Sequence, residues 1–121
     1  MICRMWRGYV SPANTPLYER YLREELFPHL LSTIGDKGYR GYHILTRSVS
    51  HETEFTTLVW FTSLEAIRDF AGEDIERAIL TDKAKSLVAH YEECATHHEL
   101  LGWHQPPGRQ TGFGDAGYSD S

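Results

Sequence analysis

The sequence predicts an α+β fold: a four-stranded antiparallel sheet carrying its helices on one face. Two observations predict it. The first is the order in which the residue periodicities alternate along the 121-residue chain, β-α-β followed by β-α-β, which is the ferredoxin-like arrangement of two split units. The second is the stretch FTTLVWFTSLEAIRDFAGEDIERAI at 55–79, which holds a strand, a helix start, a helix and a helix stop in succession. Phe55, Val59 and Phe61 fall on one side of a period-two run and Leu58 and Trp60 on the other, as expected of a strand covered on both faces. Thr62 and Glu65 have the spacing of a capping box, so a helix is predicted to begin at Ser63 or Leu64. Leu64, Ile67, Phe70 and Ala71 form its apolar stripe, and Gly72 is suited to close it.

In chain order, ICRMWRGYV is the first strand, with Ile2, Arg4, Trp6 and Gly8 on one face and Cys3, Met5, Arg7 and Tyr9 on the other. An arginine next to a tryptophan on a covered face needs a carboxylate, a carbonyl or a ligand, so Arg4 is either an internal ion pair or an anion- or carbonyl-binding group. Thr15 followed by Pro16 predicts a helix N-cap and first turn, with Tyr18, Tyr21, Leu22 and Leu26 buried and Glu19 and Arg23 paired on the solvated face. Pro28 is expected to kink or end that helix, leaving HLLSTIG as a short continuation closed by Gly35. The second strand runs from Gly38 to Arg47, with Tyr42 and Ile44 facing opposite to Tyr39, His43 and Leu45, and SVSHETE is a polar hairpin. Beyond the central helix, Ala84, Leu87, Val88 and Tyr91 recur at helical spacing behind a cap at Thr81 or Asp82, and Cys94 to Trp103 reads as the last strand. The domain spans 1–104. From Gln105 the composition turns to Pro, Gly, Ser and Asp, so 105–121 is predicted to be a flexible tail.

Composition removes several function classes. A net charge of −5 with dispersed Lys and Arg offers no basic stripe for nucleic acid or an anionic membrane surface. No apolar run reaches membrane-spanning length and Arg4 and Arg7 break the start of the chain, so a cytoplasmic protein is expected. Cys3 and Cys94 lack CxxC spacing, read as buried core residues, and should lie too far apart for a disulfide. His97 and His98 are consecutive on a strand and face opposite ways, and no HxxxH or HExxH pair exists, so no metal site is predicted. Without GxSxG, GxGxxG or P-loop signatures, nucleophilic hydrolysis and nucleotide binding are not expected. Glu52, Glu54 and Glu99 are read as strand-end surface charges without a role. His43 and His97 lie in strands expected to be covered, where each is either a satisfied structural group or, because imidazole titrates near neutrality, a proton acceptor.

The helices can cover only one face of the sheet. Since both faces of the first and third strands read as largely apolar, a second copy of the chain is the simplest cover, and a homodimer is predicted. The opening ICRMWRGYV, the central LVWFTSLEAIRDFAGEDIERA and the closing THHELL resemble the antibiotic biosynthesis monooxygenase superfamily, the dimeric α+β barrel proteins, over residues 2–101. The resemblance implies a pocket between sheet and helices and, as in some members, oxygen chemistry on electron-rich aromatics with no cofactor. Where relatives carry Trp at the end of the third strand and His-Tyr on the last, this chain has Phe61, with Trp60 one place earlier, and His97-His98. The reading that follows is a cofactor-independent monooxygenase of an aromatic or polyketide-like small molecule. His97 is its base, Arg4 stabilises an oxyanion, Trp6, Trp60 and Phe70 form an apolar wall, and His43 completes the substrate-binding set. The alternatives are a non-catalytic ligand-binding or stress-related dimer, in which Arg4, His43 and His97 are internal contacts, and a haem-binding or haem-degrading protein.

Overall fold

The computed structural model describes residues 1–107, so the predicted tail lies, past its first three positions, outside the described residues. Among the described residues five strands form one antiparallel sheet: β1 (Ile2–Val10), β2 (Tyr39–Val49), β3 (Glu52–Phe61), β4 (His90–Tyr91) and β5 (Thr96–Glu99). Spatially the order is β2-β3-β1, with β4 and β5 both on the free edge of β1. β4 pairs at Gly8–Tyr9 and β5 at Ile2–Met5, so the fourth strand position of the ferredoxin-like sheet is filled by two short pieces. The predicted single strand over Cys94–Trp103 is therefore shortened to Thr96–Glu99.

β1 and β3 pair along their whole length, from Ile2 with Phe61 to Val10 with Thr53. That register sets the two faces. Arg4, Trp6, Gly8 and Val10 lie beside Phe55, Thr57, Val59 and Phe61 under the helices, while Cys3, Met5, Arg7 and Tyr9 lie beside Glu54, Thr56, Leu58 and Trp60 on the other side. The core on the helix side gathers Val10, Tyr18, Leu22, Phe27, Leu30, Phe55, Phe61 and Ile67. Gly8 leaves room for the Trp6 ring, since a Cβ there would stand 2.7 Å from Trp6 Cη2.

The helices are α1 (Thr15–Tyr21), α2 (Phe27–Ile34), α3 (Leu64–Ala71) and α4 (Asp82–Leu87). Several boundaries differ from expectation. Thr15 does not cap α1: a 3₁₀ turn at Pro12–Asn14, capped by Ser11, precedes it, and the Thr15 hydroxyl donates to Ser11 O and lies 2.9 Å from Thr53 Oγ1. Pro28 does not end the helical path. A wide π turn at Leu22–Leu26 sets Pro28 in the first turn of α2, where no intrahelical N–H is required of it. Gly35 is the C-cap of α2 as expected, though right-handed (φ −60°), and the 3₁₀ turn Gly35–Lys37 that follows is closed by left-handed Gly38 (φ 116°). Gly38 is also a close approach, since a Cβ would meet Ala66 Cβ and Thr62 Oγ1 at 2.6 Å.

The cap of α3 is Ser63, whose hydroxyl accepts from Ala66 N at 3.1 Å, one residue later than the Thr62 cap that was expected. Thr62 N donates to Gly38 O instead, which ties the start of α3 to the entry of β2. Gly72 ends α3 at φ 86°, with an extended ψ of −167°. A β-bulge between Tyr39 and Tyr42, with Gly41 at φ 113°, resets the phase of β2. It brings Tyr39 against Phe61 and Tyr42 against Phe27, so the two tyrosines are on the same face, contrary to simple alternation. The hairpin closes in two residues, Ser50 (φ 55°) and His51.

The helical pattern predicted through Tyr91 stops at Leu87. Val88 is extended, Ala89 N donates to Tyr9 O, and Tyr91 joins the sheet opposite Gly8. Cys94 is exposed, not part of the core, whereas Cys3 is buried; both are free thiols. Among the described residues no helix is long and apolar enough to cross a membrane.

Candidate functional site

Between the sheet and the helices lies a cavity of about 90 Å³, walled by Arg4, Trp6, Thr57 and Val59 from the sheet and by Tyr18, Leu22, Phe27 and Leu30 from the first helical stretch. Tyr21 and Leu26, Phe70 of α3, Ile79 and Leu80 of the connecting loop, and Thr81 and Ala84 complete it. Among the described residues Arg4 is the only charged one in the wall. It is 4% exposed, and among the described residues no carboxylate forms a salt bridge with it. Its Nη1 donates to Ile75 O and to His97 Nε2 (3.1 Å), and its Nη2 donates to Arg77 O at 2.8 Å. Phe70 lies 5.4 Å from the guanidinium carbon, within cation–π range. A buried cation is thus held by two carbonyls of the 72–81 loop, one imidazole and one aromatic ring, and burial lowers its proton affinity below the ordinary arginine value.

His97 stands directly opposite Arg4 in the β1–β5 ladder and therefore on the same face. Since a guanidinium has only donors, Nε2 of His97 must be the acceptor, which places the proton of the neutral ring on Nδ1. Burial, then the neighbouring Arg4 charge, pull the His97 pKa below its ordinary 6.5, with Glu76 opposing. The ring is neutral at pH 7. It does not itself border the cavity; Arg4 stands between them.

Of the residues chosen from the sequence, Arg4, Trp6 and Phe70 are brought together around the cavity, with His97 behind Arg4. Trp6 is fixed by donation of Nε1 to Glu92 O at 2.7 Å and by the Tyr91 ring, 6.0 Å away. Trp60 and His43 are not in this site. Trp60 is out of phase with Phe61 by one residue, so it lies on the opposite face, where its Nε1 donates to Nδ1 of an exposed His43 at 2.9 Å. His43 is accordingly not covered, and the apolar wall consists of Trp6 and Phe70 with Tyr18, Tyr21, Phe27 and aliphatic residues.

The candidate site residues read from the sequence did not include Tyr18, Thr57, Tyr21 and Thr81. Tyr18 and Thr57 are 2% and 6% exposed, and neither hydroxyl has a hydrogen-bond partner among the described residues. Burial also pushes the Tyr18 phenol up, so it stays protonated. Tyr21 and Thr81 share a hydroxyl contact of 2.6 Å that joins α1 to the cap of α4. A signal for Thr57 was present: it is the one polar residue in the inward row Phe55-Thr57-Val59-Phe61.

The other face of the sheet carries paired charges. Glu54 is buried, not a surface charge; it accepts from Arg47 Nε at 2.9 Å and from the Tyr9 hydroxyl at 3.2 Å. The Arg47 hydrogen bond holds its carboxyl below the ordinary range. His90 stacks on Tyr9 at 4.5 Å and contacts Glu52 at 2.8 Å. Among the described residues no group of three or more His, Cys, Asp or Glu side chains converges as a metal site would require.

No family model and no curated protein matches the chain. Among solved structures it is similar to a Bacillus cereus protein provisionally described as an antibiotic biosynthesis monooxygenase, at 12% identity and a TM-score of 0.53, over 89% of this chain and 98% of that one. At that identity the likeness is one of backbone architecture. The chain has an α+β, ferredoxin-like fold of the kind seen in that monooxygenase-like protein.

Proposed function

We propose that the protein is a cofactor-independent monooxygenase of a small aromatic substrate. The observation that carries this reading is the pairing of a buried arginine that lacks a carboxylate with a neutral histidine, at the polar end of an apolar cavity. In this reading the Arg4 side chain moves off His97 Nε2 as a phenolic substrate binds, which opens the imidazole to the cavity; the substrate hydroxyl then donates its proton to Nε2 and its oxygen accepts from Arg4. A fixed cation in a dry site stabilises that phenolate by a few kcal/mol relative to water. The electron-rich ring then reacts with dioxygen. For a phenol with an open para C–H, one oxygen atom becomes the second quinone carbonyl and the other leaves as water with the phenolic and ring hydrogens. The phenol loses four electrons and dioxygen gains them.

The test is oxygen uptake with a panel of hydroxylated aromatics, with quinone formation followed by absorbance. His97→Gln should lower turnover by ~10²-fold or more, the usual worth of a positioned base, and shift its pH dependence. Turnover that is unchanged in both His97→Gln and Arg4→Gln contradicts the assigned roles. A second reading, a non-catalytic ligand-binding dimer, is favoured by the carbonyl bonds that Arg4 makes to the 72–81 loop, since a structural clamp would make the same ones. Under it no substrate of the panel consumes oxygen.

The proposal includes a homodimer formed across the helix-free face, in the cytoplasm. Exposed Leu45 on that face, and Leu101 (93%) and Trp103 (71%) after β5, support a covering partner. Sedimentation should give twice the 13.9 kDa chain mass at micromolar concentration; a stable monomer contradicts the dimer.

A further inference from the structure

The cavity contains one positive charge, two hydroxyls without partners and a wall otherwise largely of hydrocarbon. Arg4 commits both Nη1 hydrogens and one at Nη2, which leaves its Nε–H and one Nη2–H unpartnered among the described residues. Thr57 stands directly opposite Trp6 on the neighbouring strand, one step along the inward row from Arg4's own partner Val59. Buried donors and acceptors in folded proteins are rarely left unmade, so Arg4, Thr57 and Tyr18 together describe the missing partner.

Charge and size both narrow that partner. A neutral ligand would leave the guanidinium uncompensated, and a dianion would bury a negative charge that one arginine cannot balance. An apolar cavity of about 150 Å³ takes benzene, so the 90 Å³ here is tight even for one ring, which enters only if the wall yields, and it has no room for a fused ring system. We propose that the cavity binds a singly charged organic anion of no more than one ring, a carboxylate or phenolate, through the free N–H groups of Arg4 and the Thr57 hydroxyl. The inference rests on reading this cavity as the ligand site and restricts the substrate class of that reading.

Calorimetric titration of the full chain at pH 8, where His97 is neutral, with benzoate, benzyl alcohol and 2-anthroate tests it. Benzoate should bind at least tenfold more tightly than benzyl alcohol, with 2-anthroate showing no heat. Thr57→Val, which keeps the side-chain volume and the strand, should weaken benzoate severalfold. Arg4→Gln should remove the preference for the anion. Equal affinity for benzoate and benzyl alcohol, binding of 2-anthroate, retained anion preference in Arg4→Gln, or no binding by any probe each overturns the proposal. It is separable from the monooxygenase reading. Benzoate binding in a protein that consumes no oxygen with any phenol sinks only the monooxygenase, and turnover of a tricyclic phenol without benzoate binding sinks only the size and charge assignment.

Discussion

The two faces of this sheet are made by the same strands and treat charge in opposite ways. On the helix-free face each charge has its complement: Arg47 and Tyr9 close on Glu54, Arg7 lies 3.8 Å from Glu92, and His90 meets Glu52. On the covered face, Arg4 is buried more completely than any of those groups and has only carbonyls, an imidazole and a ring around it. A paired charge at a surface adds little stability and needs nothing further. A buried cation without a counter-ion is maintained at a cost, and that contrast is the reason the proposed chemistry is assigned to the helix-covered face.

The largest difference between the faces should appear in packing. Phe61→Ala removes a ring with no exposed surface and should cost ~3–5 kcal/mol, whereas Trp60→Ala, one residue away on the helix-free face, should cost under ~2 kcal/mol in chain stability. If Trp60 lies in a dimer interface, its loss will show as a stronger dependence of Tm on concentration; denaturant titration at two concentrations separates the two effects. Equal costs would break the comparison.

The charges should differ next. Arg4→Met frees Ile75 O and Arg77 O and should cost ~2–3 kcal/mol, the range for hydrogen bonds to charged groups, with faster amide exchange confined to 72–81. Arg47→Met, from a pair whose arginine is mostly exposed, should cost less than Arg4→Met by the same measurement.

Acid should then weaken both faces in sequence. His97 has a folded pKa below its ordinary 6.5, so the unfolded chain binds the proton more readily, and its contribution is present above 6.5 and lost as pH falls through the depressed value. Glu54 is also depressed, so its contribution goes at still lower pH, below the ordinary carboxylate range. Urea midpoints between pH 8 and 3 should show two declines, the first absent in His97→Gln and the second in Glu54→Gln. The smallest effect is Ser63→Ala, which removes the cap bond to Ala66 N and should cost ~1 kcal/mol by the same measurement, while Thr62→Ala leaves that bond in place.

Much of the fold was legible because β1 and β3 are long, regular and paired over nine positions, so alternation assigns every residue to a face. The same rule separates Trp60 from Phe61, and applied strictly it removes Trp60 from the cavity. What could not be read depends on distant competition. Val88 and Tyr91 fit a helix continuing from Ala84, but the free edge of β1 offers hydrogen bonds at Tyr9 that the helix end cannot match. The phase shift in β2 hangs on Gly41 alone, and a glycine does not announce whether it will bulge. Arg4 was legible as a group in need of a partner, but its partners are backbone carbonyls in a loop seventy residues away, and carbonyls leave no mark in a sequence.

The central claim, that ligand chemistry belongs to the covered face and its arginine, is tested most directly by the three tryptophan indole N–H resonances during titration with a single-ring anion such as benzoate. Trp6 lines the cavity, Trp60 lies on the opposite face and Trp103 is exposed beyond the sheet, so each resonance reports a separate region. The account predicts a saturable shift of the Trp6 resonance, with those of Trp60 and Trp103 unmoved and the Trp6 response lost in Arg4→Gln. A shift of the Trp60 resonance with Trp6 silent would place the ligand on the helix-free face and contradict it.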